Sequence, residues 1–349
     1  MRSRTYIATP PGATIREQLA DRGMSQKEFS ARMDMSEKHI CRLISGDVIL
    51  TPEVAMRLEM VLGVPASFWL NLEAIYREKL LLVQAENEMD EDLEIAGKFP
   101  YREMVKYGWI EDAKRGQDRV IALRKFFEVV RLSLVGIPLI PHIACRRSAV
   151  TEKADYALIA WAQKAKKEAR SVETGSVNLE KLRKSLPDIR KMTTENADIF
   201  CPKLCSLLSE CGIALIFLPH IGGSFLNGAA FSDRNRIVIG LTVRGRDADR
   251  FWFSLFHEIG HVLYGHIWKE DGTTDEDEDE ADSFARDTLI PPQNFEAFLK
   301  EGHFDSGEIF SFAREIGIDT GIVVGRLQKE GYIRYNQYNE MKTKYSLVD

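Results

Sequence analysis

Within Phe256-His257-Glu258-Ile259-Gly260-His261, two imidazoles stand four residues apart and a carboxylate directly follows the first. On a helix, positions i and i+4 lie one above the other on the same face. His257 and His261 can therefore grip one metal ion while Glu258 reaches past it. The chemistry in outline is metal-assisted hydrolysis. Phe251, Trp252, Phe253, Leu255, Phe256, Ile259, Val262 and Leu263 cover every side of a helical wheel, and a helix that is apolar all round must be buried. Imidazole and carboxylate groups inside it need partners, most economically a cation. In the competing reading the histidines bond to backbone carbonyls and Glu258 is salt-bridged. Gly260 is expected to leave room beside the metal.

A catalytic zinc takes three protein ligands and leaves its fourth position to water. Candidates for the third lie in the run Asp275-Glu276-Asp277-Glu278-Asp279-Glu280-Ala281-Asp282. Ala281, Phe284, Ala285 and Leu289 recur at helical spacing and Pro291-Pro292 ends the segment, so the run opens a second amphipathic helix. Most of its carboxylates are expected to be a solvated, dipole-favoured helix start. Glu278 and Asp282 share a face, with Ala281 and Phe284 beside them to pack on the first helix. Glu278 would bind the metal, and Asp282 would accept the outward N–H of a ligand histidine. Glu280 competes with Glu278 for the third position.

His257-Glu258-Ile259-Gly260-His261, followed by Glu278, Ala281-Asp282, Phe284-Ala285 and Leu289-Ile290-Pro291, resembles the ImmA/IrrE family of zinc-dependent metallopeptidases, a minimal relative of the thermolysin-like zincins. Carried over by position, the resemblance implies Zn2+ held by His257, His261 and Glu278, with Glu258 as catalytic base. Upstream, Cys211 to Pro219 is a short apolar run of the kind a buried strand requires. Asn227 to Phe231 and Arg236 to Thr242 read as two more strands around an Asp233-Arg234-Asn235 turn. A sheet edge is expected between Asn227 and Thr242, where a peptide substrate could add as a further strand. Tyr264, His266 and Arg244 are the nearby candidates for a transition-state donor.

The N-terminus carries a second signal. Ala13 to Arg22, Ser25 to Met33, Ser36 to Ser45 and a segment opened by Thr51-Pro52-Glu53 read as four short helices, the first, third and fourth stopped by Gly23, Gly46 and Gly63 and the second joined to the third across Asp34-Met35. The second and third have the spacing of a helix-turn-helix, whose second member enters the major groove. Gln26, Ser36, Glu37, Lys38, His39 and Arg42 would then face DNA, while Ile40, Leu43 and Ile44 face the bundle. Basic and acidic residues nearly balance across this segment, so a bundle used for protein contacts is the alternative. Pro11-Gly12, Met24-Ser25-Gln26, Ile44-Ser45-Gly46, Thr51-Pro52-Glu53-Val54-Ala55 and Phe68-Trp69-Leu70-Asn71-Leu72 resemble the DNA-binding domain of HigA-type antitoxins of the Xre class. That resemblance implies operator DNA as a partner and a homodimer. Asp47-Val48-Ile49-Leu50 stands where that family usually has a basic loop.

The chain has 349 residues, 44% hydrophobic and 29% charged, which is ordinary usage for a globular protein too long for one core. Its net charge of -6 excludes general nucleic-acid coating and leaves room for a local DNA contact. Five scattered cysteines fit a reducing compartment and read as small core residues. No apolar stretch approaches membrane-spanning length and no signal-peptide core follows Met1, so the cytoplasm is expected.

The organisation expected is α+β. Residues 1–80 form an all-α helix-turn-helix bundle, and 81–200 a helical scaffold opened by a charged linker at Asn87 to Glu94. Residues 201–304 form a minimal zincin-like metallopeptidase domain, and 305–349 a helical extension ending in a polar tail. Within the scaffold, Val120 to Leu134 and Asp155 to Val172 read as helices. Gly108-Trp109-Ile110 and Arg146-Arg147-Ser148 resemble elements seen where the two modules are fused. The function implied is a DNA-binding, antitoxin-like transcriptional regulator carrying a zinc endopeptidase that cleaves a regulatory protein. The alternative is a repressor whose zincin-like part senses or binds a protein or toxin partner without turnover.

Overall fold

The computed structural model describes residues 1–135, 152–222, 227–242, 247–269 and 272–345. Arg146-Arg147-Ser148 and Arg244 lie outside them. The chain forms two compact units, Met1–Glu94 and Ile95–Asp349.

The first unit is all helix: α1 (Gly12–Asp21), α2 (Gln26–Arg32), α3 (Glu37–Ser45), α4 (Pro52–Leu62) and the start of α5 (Ala66–Ala96). The Ser25, Ser36 and Thr51 hydroxyls accept the backbone N–H three residues on, which fixes where α2, α3 and α4 begin. Gly46 and Gly63 close α3 and α4 in the left-handed region, at φ 82° and 67°. Ile15, Leu19, Phe29, Ile40, Leu43, Leu58 and Trp69 form the core. Gly12 sits where a Cβ would lie 2.0 Å from the Ile44 carbonyl oxygen, so α1 crosses α3 at a distance only glycine allows.

No linker interrupts the charged run at Asn87 to Glu94, which continues α5 as a helix of 31 residues. Its residues are tolerated in helices, so the charges do not break α5. Within the run, Asp90 pairs with Arg4 at 3.8 Å. The N-terminal segment folds back so that Ala8 packs with Tyr76 and Val83, and the Glu86 carboxylate accepts from the Ser3 and Thr5 hydroxyls.

The second unit holds α6 (Tyr101–Lys106), α7 (Gly116–Phe127), α8 (Glu152–Ala169), α9 (Leu179–Lys191) and α10 (Ala197–Glu210). A sheet of β1 (Ile213–Leu218), β2 (Gly228–Asp233) and β3 (Arg236–Thr242) follows, then α11 (Ala248–Leu263), α12 (Asp275–Leu289), α13 (Pro292–Glu301), α14 (Ser306–Ile316) and α15 (Thr320–Lys329). The helix expected to reach Leu134 ends at Phe127, because Glu128 turns left-handed at φ 59°. In the sheet β1 lies parallel to the central β3, and β2 pairs antiparallel to β3 and forms an edge.

Successive strand residues alternate between two cores, as a period of two requires. Ile213, Leu215, Ala230, Ile237, Ile239 and Leu241 face α10 and α11, whereas Ala214, Ile216, Ala229, Phe231 and Val238 face Trp161 of α8. At Gly240 a Cβ would stand 2.4 Å from the Trp161 ring. Helix α8 is thus a layer on the sheet, not scaffold apart from it. Leu182 of α9, Phe200 of α10, Phe312 of α14 and Val323 of α15 all enter the same core as α11. The separate middle and C-terminal segments expected from sequence therefore merge with the sheet into one unit. The polar tail is tied to the start of α11: Lys342 pairs with the Asp249 carboxylate at 2.8 Å, and the Trp252 indole N–H donates to the Tyr345 hydroxyl at 3.0 Å.

Candidate functional site

Helix α11 is buried along most of its length, with His261 fully enclosed and Glu258 only 3% exposed. Helix α12 starts at a capping box, in which Thr274 Oγ1 accepts from the Asp277 N–H and the Asp277 carboxylate accepts from the Thr274 N–H. The two helices meet at Gly260, where a Cβ would lie 3.2 Å from Ala281 Cα and from the Phe284 ring. Gly260 therefore permits close helix packing; it was expected to face a metal, but it faces α12.

That packing brings Glu278 under the histidine pair. His257 Nε2 stands 3.4 Å from Glu278 Oε2, His261 Nε2 stands 3.5 Å from Glu278 Oε1, and the two Nε2 atoms are 3.0 Å apart. One ligand-type atom from each of the three residues lies within 4.8 Å of the others. Behind them, His257 Nδ1 meets Asp282 Oδ1 at 2.8 Å. Glu280, the competitor, points elsewhere: its Oε2 lies 3.1 Å from His266 Nε2. Among the described residues, both Glu278 oxygens and Glu258 Oε2 are buried without a hydrogen-bond partner. Two nitrogens and one carboxylate converging around orphaned buried oxygens form a donor set that fits zinc.

The electrostatics follow from burial and proximity. Burial disfavours charge on His257, but the Asp282 hydrogen bond and the Glu278 and Glu258 carboxylates more than offset it and raise its pKa to about 10. Burial instead lowers His261, where the neighbouring imidazoles add repulsion. Glu278 is buried too, yet the two imidazoles hold it well below the usual carboxylate range. Burial pushes Glu258 up to about 8, against the pull of His257 and a hydrogen bond from the Ala230 backbone. Ala230 belongs to edge strand β2, and in the same strand a Cβ on Gly228 would be 2.8 Å from Glu258 Oε1. The strand and the carboxylate are in direct contact.

Of the candidate donors, Tyr264 lies edge-on to Phe284 at 5.7 Å between ring centroids, and His266 lies behind His261 with their Nδ1 atoms 2.9 Å apart. The motif did not assign His266 to that position. The available signal was Gly265, which turns left-handed at φ 82° and sends the chain back along α11.

In the first unit, α2 and α3 are joined through Asp34, which adopts φ 51°. Arg57 of α4 holds this turn, donating to the Met33 and Asp34 carbonyl oxygens at 2.9 and 3.2 Å. Gln26, Ser36, Glu37, Lys38 and Arg42 are exposed, while Ile40, Leu43 and Ile44 are buried. His39 is half-buried with Nε2 enclosed, so it faces outward less than its neighbours do. Ser36 is engaged as the α3 cap.

A helix-turn-helix family model matches residues 15–69. Over 80 residues the chain is 35% identical to YddM of Escherichia coli (strain K12), an uncharacterised HTH-type transcriptional regulator, an alignment that takes in 23% of this chain and 81% of that protein. The chain belongs to the helix-turn-helix transcriptional regulators. The helix-turn-helix chain is also similar to the solved structure of an addiction module antidote protein of the HigA family from Coxiella burnetii. That protein is 25% identical and its match covers 26% of this chain and 96% of that chain, with a TM-score of 0.22. Among the described residues of this regulator, no helix is long and apolar enough to cross a membrane.

Proposed function

We propose that this regulator binds operator DNA through its first unit and that its second unit is a zinc-dependent endopeptidase acting on a regulatory protein. The observation that carries the enzymatic part is the convergence of His257, His261 and Glu278 beside Glu258, whose Oε2 is buried and unpartnered. His257, His261 and Glu278 would hold the metal, with Asp282 fixing the His257 ring through Nδ1. A zinc ion there supplies Lewis-acid polarisation and a water acidic enough to ionise near neutral pH. Glu258 Oε2 is the free acceptor that takes a proton and returns it to the leaving amine. Without a metal, burial raises its proton affinity toward neutral pH. Among the described residues β2 is an edge strand, and an extended peptide pairing along it would lie beside Glu258, which accepts from the Ala230 backbone.

In the first unit α3 is proposed to enter the major groove, with Lys38 and Arg42 reaching phosphates or base edges and Gln26 contacting the backbone from the start of α2. A homodimer would match a two-fold operator. A toxin is the partner proposed if the chain acts as an antitoxin. The burial of Glu258, His261 and Glu278 favours a second reading, in which the same centre senses or binds a partner without turnover.

Glu258→Gln separates the two, since it keeps the shape and all three ligands but removes the base. Wild type and variant are expressed with the neighbouring genes, with and without stress, and fragments are mapped by mass spectrometry. A peptidase gives fragments in the wild type that the variant lacks, at equal zinc content. Identical fragment patterns leave the non-catalytic reading standing.

A further inference from the structure

His266 is buried at 3% exposure, lies outside the ligand set, and contacts the proposed metal centre through a single bond, from its Nδ1 to His261 Nδ1 at 2.9 Å. Two imidazole nitrogens can share a hydrogen bond only if one carries the proton and the other offers a lone pair. A nitrogen that ligates a metal carries no proton, so with Nε2 of His261 turned to His257 and Glu278, the only proton of that ring sits on Nδ1. His261 therefore donates and His266 Nδ1 accepts. The proton of His266 then sits on Nε2, where Glu280 Oε2 at 3.1 Å and Asp277 Oδ1 at 3.3 Å stand ready to accept it. Every bond in the chain from His261 to the α12 carboxylates has one consistent direction.

We propose, on the basis of the zinc reading above, that His266 is a positioning residue for the metal centre, holding His261 in the tautomer whose Nε2 lone pair faces His257 and Glu278. It does for His261 what Asp282 does for His257, with an imidazole interposed before the carboxylates. Since both rings are enclosed, no water can take its place. His266, Asp277 and Glu280 also bring ligand-type atoms within 4.8 Å of one another, the spacing of a second cation site. Their bonds argue for the positioning role. The Lys269 ammonium lies 2.6 and 2.8 Å from the two Asp277 oxygens and already balances that charge, Asp277 also caps α12, and His266 Nδ1 is committed to His261.

The test compares the full-length wild type with His266→Leu and His266→Asn. Asparagine places Oδ1 where Nδ1 stands and can accept the His261 proton; leucine cannot. Zinc affinity is read by competition with a chromophoric chelator, folding by circular dichroism, and the His261 tautomer by NMR of chains labelled with 15N-histidine. Expected are a loss of about 10–100-fold in zinc affinity for the leucine variant, substantial recovery with asparagine, and an Nδ1-protonated His261 in the zinc-loaded wild type. Unchanged affinity in the leucine variant, or an Nε2-protonated His261 in the loaded protein, overturns the proposal. A wild type that binds two zinc ions and loses one with His266→Leu makes His266 a ligand and also overturns it. A wild type that binds no zinc overturns the metal reading itself, and that arm is independent of the variants. If leucine prevents folding, the asparagine variant and the tautomer measurement still decide.

Discussion

Replacing Glu258 by glutamine should stabilise the metal-free protein at neutral pH. With no metal bound, burial raises the Glu258 carboxyl to about 8 in the folded protein, whereas the unfolded chain ionises it at its ordinary value of 4.5. A carboxyl group whose folded pKa is raised costs nothing below the unfolded value. Its cost grows as pH rises between the two values and is constant above the folded one. At pH 7 the gap is the span from 4.5 to 7, which at about 1.4 kcal/mol per pH unit amounts to about 3 kcal/mol of lost stability. Glutamine is neutral at every pH and nearly isosteric, so Glu258→Gln should recover most of that, less the cost of giving its amide N–H groups a partner. For a domain of this size each kcal/mol moves Tm by roughly 2–4 °C. The assay is thermal unfolding of chelated wild type and variant from pH 4 to pH 8. The variant should match wild type near pH 4 and pull ahead steadily as pH rises. A variant that is no more stable at pH 7, or whose advantage is the same at pH 4, would refute the claim that burial dominates the environment of Glu258.

Three further outcomes can be measured. His257→Ala and His261→Ala should each abolish zinc retention, and Glu278→Gln should weaken it far more than Glu280→Gln, because Glu280 bonds to His266 and not to the pair; equal metal content by elemental analysis in all four would count against the centre. Arg42→Ala should cost roughly 1–3 kcal/mol in binding to the chain's own promoter if it reads a base, and Lys38→Ala should weaken all sequences alike. Gel shifts at controlled salt that show no change in either variant would return the bundle to protein contacts. Trp161→Ala empties the fully buried contact over Gly240 and should destabilise the second unit by about 3–5 kcal/mol, read in urea unfolding. A loss under 1 kcal/mol would show that α8 does not form a layer of that sheet.

The sequence alone determined whatever depends on local spacing. Capping Ser25, Ser36 and Thr51 marked the starts of α2, α3 and α4, and left-handed Gly23, Gly46 and Gly63 the ends of α1, α3 and α4, to within a residue or two, because a cap and a helix stop are set by neighbours along the chain. The i, i+4 spacing put His257 and His261 on one face of α11, and two short apolar runs between Asn227 and Thr242, either side of a turn, marked the β2–β3 hairpin. The tertiary structure decided everything that depends on which surfaces meet. The acidic run offers carboxylates on every side of α12, and only the approach of α12 to α11 through Gly260 turns Glu278 to the histidines and Glu280 to His266. An apolar stripe on α8 states that it needs a partner but not which one, so its place on the sheet, with Trp161 over Gly240, could not be read from the stripe. The charged run does end where the first compact unit ends, at Glu94, but it is helix and not irregular chain, because a charged composition does not by itself break a helix. The raised pKa of Glu258 and the bond between His261 and His266 exist only once remote segments have excluded water from α11. Desolvation belongs to the packed molecule, and no spacing along the chain encodes it.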